Sequence, residues 1–417
     1  MSCMKAATTS IADVRMHGFR KRSEVSAVFD WIDQAARRLG AESLALEQAT
    51  GRTLAADVIA PLDVPGFDRA AMDGFALRGA ETAGATDYNP LEFRVLGQAM
   101  PGQPFTGELL PRTAVRIMTG APVSAGVDAV VPAEYATETD GQIIVTRPVA
   151  PGQHVGHRGE DLRAGSTALA AGRRLRPQDL GLAASLGLDH VTVVRQPRVR
   201  MLVTGNEVKA PGAPKGMYEV YDANSYMLRG LIARDGGVLE SHLRLGDDPD
   251  AIRAALLAPG ADVILVSGGS SVGREDYAPR LIAEIGELAI HGVAMRPSSP
   301  AGVGRIGETL VFLLPGNPVS CLCAYDFFAG RALRLLGGRS PDWPHRSVQA
   351  VVARKIVSAI GRLDYCRVRL VDGRVEPIAL SGASILSSTT RADGFVIVPS
   401  NSEGYGPDAV VTAYLYD

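Results

Sequence analysis

The 417-residue sequence holds only four cysteines, Cys3, Cys321, Cys323 and Cys366. Their number and spacing give neither a disulfide framework nor a zinc pattern. Cys321 and Cys323 stand two apart in a predicted helix, where side chains point to nearly opposite faces. All four are read as buried structural thiols, a residue type often found fully inside. Charge of one sign is also missing: 43 Lys+Arg against 45 Asp+Glu leave a net charge of -2. That excludes a general basic excess for nucleic acid, though not a local patch for a small anion. No run of 18 apolar residues exists, so no membrane-spanning helix is predicted. Residues 1–22 mix Lys5, Asp13, Arg15 and Arg20 with Ala, Thr and Ser, without the apolar core of a secretory signal. The expected location is the reducing cytoplasm. Histidines number seven. No Ser/His/Asp set can be argued from their spacing, and His154 and His157, three apart on a predicted loop, read as solvated residues rather than a metal pair. There is no internal repeat and no low-complexity tract.

What is present is a globular composition, 46% hydrophobic and 21% charged, of a length that suits about three domains. The 46 glycines and 26 prolines suggest many loops and sharp turns. Ser23 to Leu39 reads as an amphipathic helix with Val25, Val28, Phe29, Ile32 and Ala36 on one face, capped by Ser23 and ended by Gly40. From about 59 to 157 the chain carries short β-prone runs, Phe93–Leu96, Ala114–Met118, Ala129–Pro132 and Ile143–Thr146, broken by turn residues. This predicts an all-β insertion. Gly181–Leu188 predicts a short helix. Residues 198–336 alternate strands (Arg198–Thr204, Gly237–Leu245, Ala261–Ser267, Thr309–Leu314) with helices (Asn224–Asp235, Pro249–Leu257, Ala278–Ile285 and a long one ending at Leu336). Such alternation implies right-handed crossovers and a mostly parallel sheet covered on both faces. Ligands of these sheets sit at the carboxyl ends of the strands. From about 346 the runs Val348–Ala353, Cys366–Val371, Gly394–Pro399 and Ala409–Leu415 predict a compact C-terminal β domain.

The richest chemistry lies at those carboxyl ends. Ser267-Gly268-Gly269-Ser270-Ser271-Val272-Gly273 leaves a buried strand and opens toward a helix. Its backbone amides can converge on an anion without Cβ obstruction. The alternative is a tight strand-to-helix turn, but three glycines and three serines in seven residues exceed what a turn needs. Pro315-Gly316-Asn317-Pro318 follows the next strand and is either the opposite wall of one pocket or a rigid helix start. Glu207, Asp222, Asn224, Asp247, Asp248 and Asp276 fall at neighbouring strand ends. Carboxylates so placed suit Mg²⁺ beside substrate phosphates, whereas Asp222 and Asp248 also read as helix N-caps. The insertion holds two further runs, one around Asp68 and Asp73 and one around Thr119. The charged loop Gly156–Asp161 follows them.

Taken in order, PGFDRAAMDGFA, RIMTGAP, GHRGED, TGNEV, DANSYML, SGGSSVGREDY and LPGNPVS resemble the molybdopterin molybdenumtransferase family, the MoeA and gephyrin E-domain type. The resemblance spans about residues 60–320 by motif. It implies a multidomain α/β plus β architecture: a doubly wound parallel-sheet molybdopterin-binding domain (197–338), a β-rich insertion domain (59–157), a discontinuous N-terminal linker and dimerisation domain (15–58 and 158–196), and a C-terminal β-barrel-like domain (345–417). It implies molybdenum insertion into adenylylated molybdopterin with release of AMP, Mg²⁺ as cofactor, and molybdate and molybdopterin-AMP as substrates. Implied partners are a second copy that completes the active site, a molybdopterin-adenylylating protein and molybdoenzyme apoproteins, with no nucleic acid and no membrane. Carried over by motif, Asp73, Thr119, Asp161, Glu207 and Asp276 are catalytic, and Glu207, Asp247 and Asp276 hold the metal. Ser267, Gly268, Gly269, Ser271, Gly273, Arg296, Pro315, Gly316, Asn317 and Ser320 bind substrate. One departure stands out. Where the family usually reads Lys-Pro-Gly-Lys-Pro, this chain has Arg296-Pro297-Ser298-Ser299-Pro300. Arg296 keeps a charge in a different geometry, and Ser299 loses one. A non-catalytic paralogue that binds or delivers the cofactor is the second reading. A transferase or hydrolase acting on another pterin or nucleotide pyrophosphate is the third.

Overall fold

The computed structural model describes residues 22–270, 273, 276–379 and 382–416. They form two compact units. One holds the residues up to Glu42, Gly51–Thr53 and those from Val194 onward; the other holds Ser43–Thr50 and Leu54–Val193.

In the first unit a six-stranded sheet runs in the order Val238–Leu245, Arg198–Thr204, Val263–Ser267, Thr309–Leu314, Gly302–Ile306, Glu287–His291. The first four strands are parallel, and the last two join antiparallel. Side chains alternate along each strand between the faces. Met201, Leu265 and Phe312 enter one apolar cluster with Leu228 and Val319 from the helices Asn224–Arg234 and Pro318–Ala324. Leu202, Ile264 and Val311 enter another with Ile252 and Ile282 from Pro249–Leu257 and Ala278–Ile285. Both faces are thus covered, which explains why the central strands read as unbroken apolar runs.

The first helix spans Val25–Ala35, and its residues Val25, Val28 and Ile32 are buried as the pattern predicts. Its ends differ from the prediction. Glu24 is the N-cap, without a side-chain cap bond, and the helix stops well before Gly40. Ser23 is instead engaged as a backbone bridge to Val293. The predicted long helix to Leu336 changes winding at Tyr325–Ala329, a π-turn, before Gly330–Leu336 resumes. Cys321, Cys323 and Cys366 are buried free thiols; Cys3 lies outside the described residues.

The C-terminal sheet is ordered Met295–Arg296, Leu363–Val371, Arg374–Ala379, Ser347–Val352, Val410–Leu415, Gly394–Val398. Leu363–Val371 also pairs with Gly394–Val398, which closes the sheet into a barrel without a free edge there. Arg374–Ala379 went unread in the sequence because Pro377 interrupts it.

The second unit carries a six-stranded sheet in the order Ala129–Pro132, Gly74–Leu77, Thr113–Ile117, Leu91–Ala99, Gln142–Val145, Ala136–Thr139. Its helix starts at Pro177, four residues before the predicted Gly181. Pro177 supplies a preset φ at the first helical position. Asp179 accepts the Arg176 amide at 2.9 Å, so the start is capped from within.

Candidate active site

In the parallel sheet Val203 is level with Ser267, and Ser267 with Leu314. The strands therefore end together, and beyond their carboxyl ends lies a cavity of about 880 Å³. Ser267, Gly268, Gly269 and Gly273 form one wall, and Pro315, Gly316 and Asn317 another. Glu207, Asp247 and Asp276 line it as well. The glycine turn is there for steric reasons. Gly268 and Gly269 have φ of 89° and 55°, a region that L side chains rarely adopt. A Cβ on Gly268 would come within 2.5 Å of the Thr204 carbonyl oxygen, and one on Gly269 within 2.6 Å of Thr204 Oγ1. The turn is pinned by the Gly268 amide and Ser270 Oγ, which both donate to Leu314 O at 3.1 Å.

The two loops are tied together by Asn224. Its Nδ2 donates to Ser267 Oγ and to Gly316 O, each at 2.8 Å. Asn224 Oδ1 and Thr204 Oγ1 are buried without a hydrogen-bond partner among the described residues. Orphaned polar atoms at a cavity wall are unusual in native folds unless water or a ligand satisfies them. Glu207, Asp247 and Asp276 take part in no ion pair among the described residues. Asp247 Oδ2 accepts the Asn206 amide at 3.1 Å, and Asp276 Oδ2 accepts the Gly273 amide at 2.6 Å. Among the described residues no group of three acidic, imidazole or thiol side chains is gathered tightly enough to hold a metal alone.

Not every predicted residue faces this cavity. Arg296 Nε donates to Asp364 Oδ1 at 3.0 Å and a terminal nitrogen donates to the other oxygen, so its guanidinium is turned onto a buried carboxylate. Ser320 is buried, and its carbonyl accepts Ser298 Oγ at 2.6 Å. Ser271 lies outside the described residues. The cavity also takes in residues that the sequence did not single out for the site. Thr204 opens the TGNEV run but carries no assigned role there. Ser384 arrives from the C-terminal region with Oγ 3.0 Å from Asn317 Oδ1. A hollow of about 980 Å³ lies elsewhere in this unit, between Met227, Leu231, Leu386 and Tyr416, and holds none of the predicted site residues.

In the second unit Asp73 and Thr119 meet. The Thr119 amide and hydroxyl each donate to Asp73 Oδ1 at 2.7 Å. These bonds, the amide first, hold the exposed Asp73 carboxyl below its ordinary pKa. Gly74 follows because any Cβ there would overlap the Val131 carbonyl. Asp161 is exposed on the loop whose amide bonds Val64 O at 3.1 Å. That loop is braced by Asp63, which accepts the Ala164 amide at 2.8 Å and Arg158 Nε at 2.6 Å. Asp63 was not foreseen; its partners lie about a hundred residues away in sequence.

Comparison with known proteins places these features. Residues 23–187 match the MoeA N-terminal region (domain I and II), 200–334 match a "Probable molybdopterin binding domain", and 349–416 match the MoeA C-terminal region (domain IV). Molybdopterin molybdenumtransferase 2 of Mycobacterium tuberculosis is 38% identical over 331 residues, covering 77% of this chain and 81% of that protein. The chain belongs to the MoeA family of molybdopterin molybdenumtransferases. Another member of that family, the molybdopterin molybdenumtransferase of Haemophilus influenzae, is 31% identical over 382 residues, 89% of this chain and 93% of its own. The MoeA crystal structure from Pyrococcus horikoshii OT3 superposes with a TM-score of 0.82 at 30% identity, over 95% of this chain and 100% of that one. No described helix is long and apolar enough to cross a membrane.

Proposed function

We propose that this chain inserts molybdenum into adenylylated molybdopterin and releases AMP, yielding molybdenum cofactor. The observation that carries the reading is the cavity at the carboxyl edge of the parallel sheet, where a glycine-serine turn faces Glu207, Asp247 and Asp276, which take part in no ion pair among the described residues. The Gly268–Ser270 turn would hold the phosphoanhydride, since its conformation leaves no Cβ between backbone and ligand. Thr204 Oγ1 and Asn224 Oδ1, the orphaned atoms, would take substrate or water hydrogen bonds. Magnesium suits the donor set. It prefers oxygen ligands and usually takes one or two carboxylates with phosphates and water, so one or two of Glu207, Asp247 and Asp276 would hold it beside the substrate phosphates. When bound it would neutralise the charge of the anhydride. Asp73, kept ionised by Thr119, would orient water or molybdate, and Asp161 would act from the neighbouring charged loop. In this reading a second copy of the chain brings Asp73, Thr119 and Asp161 to the cavity, so the working enzyme is a homodimer. An adenylylating protein supplies its substrate, molybdoenzyme apoproteins receive its product, and it works in the cytoplasm.

The test incubates purified protein with molybdopterin-AMP, Mg²⁺ and molybdate and measures AMP and metal-loaded pterin. Both products should appear together and should fall at least a hundredfold (roughly the effect of removing one preorganised charged group) in Glu207→Ala. AMP without metal loading, or tight binding without turnover, would contradict the reading.

A further inference from the structure

The cavity proposed for a diphosphate and an oxyanion is lined by four carboxylates, Glu207, Asp222, Asp247 and Asp276, and by no lysine or arginine among its described residues. One Mg²⁺ would offset only part of four carboxylates and two anionic substrates, so positive charge from the protein is still needed nearby. Arg296 does not line the cavity, and its Nε and one terminal nitrogen are turned onto Asp364. The turn that follows Arg296 nevertheless reaches the cavity, since Pro300 forms part of its wall.

A different cation stands on that turn. Arg22 Nε donates to Ser299 Oγ at 2.7 Å, across 277 residues of sequence. The two residues are anchored around one point. The Ser23 amide donates to Gly292 O at 3.0 Å, and the Ala294 amide donates to Ser23 O at 2.8 Å. Between them the Val293 amide donates to Ser299 O at 2.8 Å. The backbone thus fixes Arg22 beside Ser299, and Ser299 beside Pro300. Arg22 is exposed and has no ion pair among the described residues. A guanidinium has five N–H donors, so the bond to Ser299 aims the fork and leaves most of it unspent.

We infer that Arg22 is an anion-binding residue of this cavity, held by Ser299 so that its guanidinium meets a phosphate or molybdate oxygen of the substrate at the Pro300 rim. The inference deepens the proposed function and rests on it for the identity of the anion. It also gives the sequence departure a physical sense: the charge missing at Ser299 is restored by a side chain that docks on Ser299 itself.

The experiment compares wild type, Arg22→Ala, Arg22→Lys, Arg274→Ala and the double variant Arg22→Ala/Ser299→Lys. Calorimetry with inorganic pyrophosphate and with molybdate gives Kd, the AMP-release assay gives KM and kcat, and thermal melting reports integrity. Loss of one charge-assisted contact should weaken pyrophosphate about tenfold in Arg22→Ala. KM should rise by a similar factor with kcat and the melting point little changed. Ser299→Lys in the same background should recover most of the affinity. Unchanged affinity in Arg22→Ala, a loss confined to Arg274→Ala, or failure of Ser299→Lys to rescue would overturn the inference. If wild type turns over and Arg22→Ala is unaffected, the function stands and this inference fails. If pyrophosphate binding depends on Arg22 but wild type forms no product, the anion site stands and the proposed function fails.

Discussion

Thr119 commits both its amide and its hydroxyl to a single oxygen of Asp73, each at 2.7 Å. Two donors on one oxygen favour the ionised carboxylate, which is why its pKa is lowered. The stability this gives is present above the ordinary carboxylate pKa and is lost as pH falls through the lowered one. Thr119→Val removes the hydroxyl and keeps the amide, the larger of the two causes. The pKa of Asp73, read by carbon NMR of its carboxyl, should rise part of the way toward about 3.9. No movement would mean the hydroxyl contributes nothing.

Asp73 and Glu207 lie in different units of the chain, and the proposed homodimer joins them across two copies. Asp73→Ala and Glu207→Ala should each be inactive alone. After unfolding and refolding as an equal mixture, half the dimers are mixed, and each mixed dimer has one intact site of two. Activity should return to about a quarter of wild type by this symmetry argument. No recovery would place both residues in one chain's site.

Arg296 and Asp364 make a structural pair rather than a cavity contact. Asp364 is fully buried and also accepts Ser358 Oγ at 2.6 Å. Arg362 Nε also stands 3.7 Å from this carboxylate, so losing Arg296 leaves the buried charge partly compensated and costs up to about 3–5 kcal/mol. Urea unfolding of Arg296→Ala should show a loss of that order. A large rise in KM at unchanged stability would instead put Arg296 in the substrate site.

His291 Nε2 bonds the Ser270 carbonyl at 2.8 Å, behind the glycine turn. Burial lowers its pKa, outweighing that bond and the Asp276 carboxylate, which act to raise it. The unfolded chain therefore takes up this proton near pH 6.5, before the folded one does. The associated stability is present above that pH and is lost as pH falls through the folded value. The urea midpoint of wild type should drop between pH 7.5 and 5.5, and it should drop less in His291→Gln.

How much of this was legible depended on sequence distance and on who the neighbours were. Val263–Ser267 and Thr309–Leu314 announced themselves because strands buried on both faces have no polar alternation to hide behind. The glycine turn was legible because φ above zero next to Thr204 requires glycine, whatever the tertiary context. The short strands Gly302–Ile306 and Glu287–His291 were not. Gly302 and Gly304 lower the strand propensity of the first, and the second is a five-residue run that pairs only with the first, at the sheet's end. Ser298 gave no warning of its left-handed φ of 93°, which is sustained by its bond to Ser320 O. Arg22, Asp63 and Ser384 were missed for a common reason: each gains its meaning from a partner on a distant part of the chain. Local pattern carries no record of such pairs.

The position of the bound substrate is the most direct test. A crystal structure of the protein with molybdopterin-AMP should show the diphosphate against Gly268–Ser270, within reach of Glu207, Asp247 and Asp276. Density for it in the hollow between Met227, Leu231 and Tyr416, with the carboxyl-edge cavity left to solvent, would contradict the account.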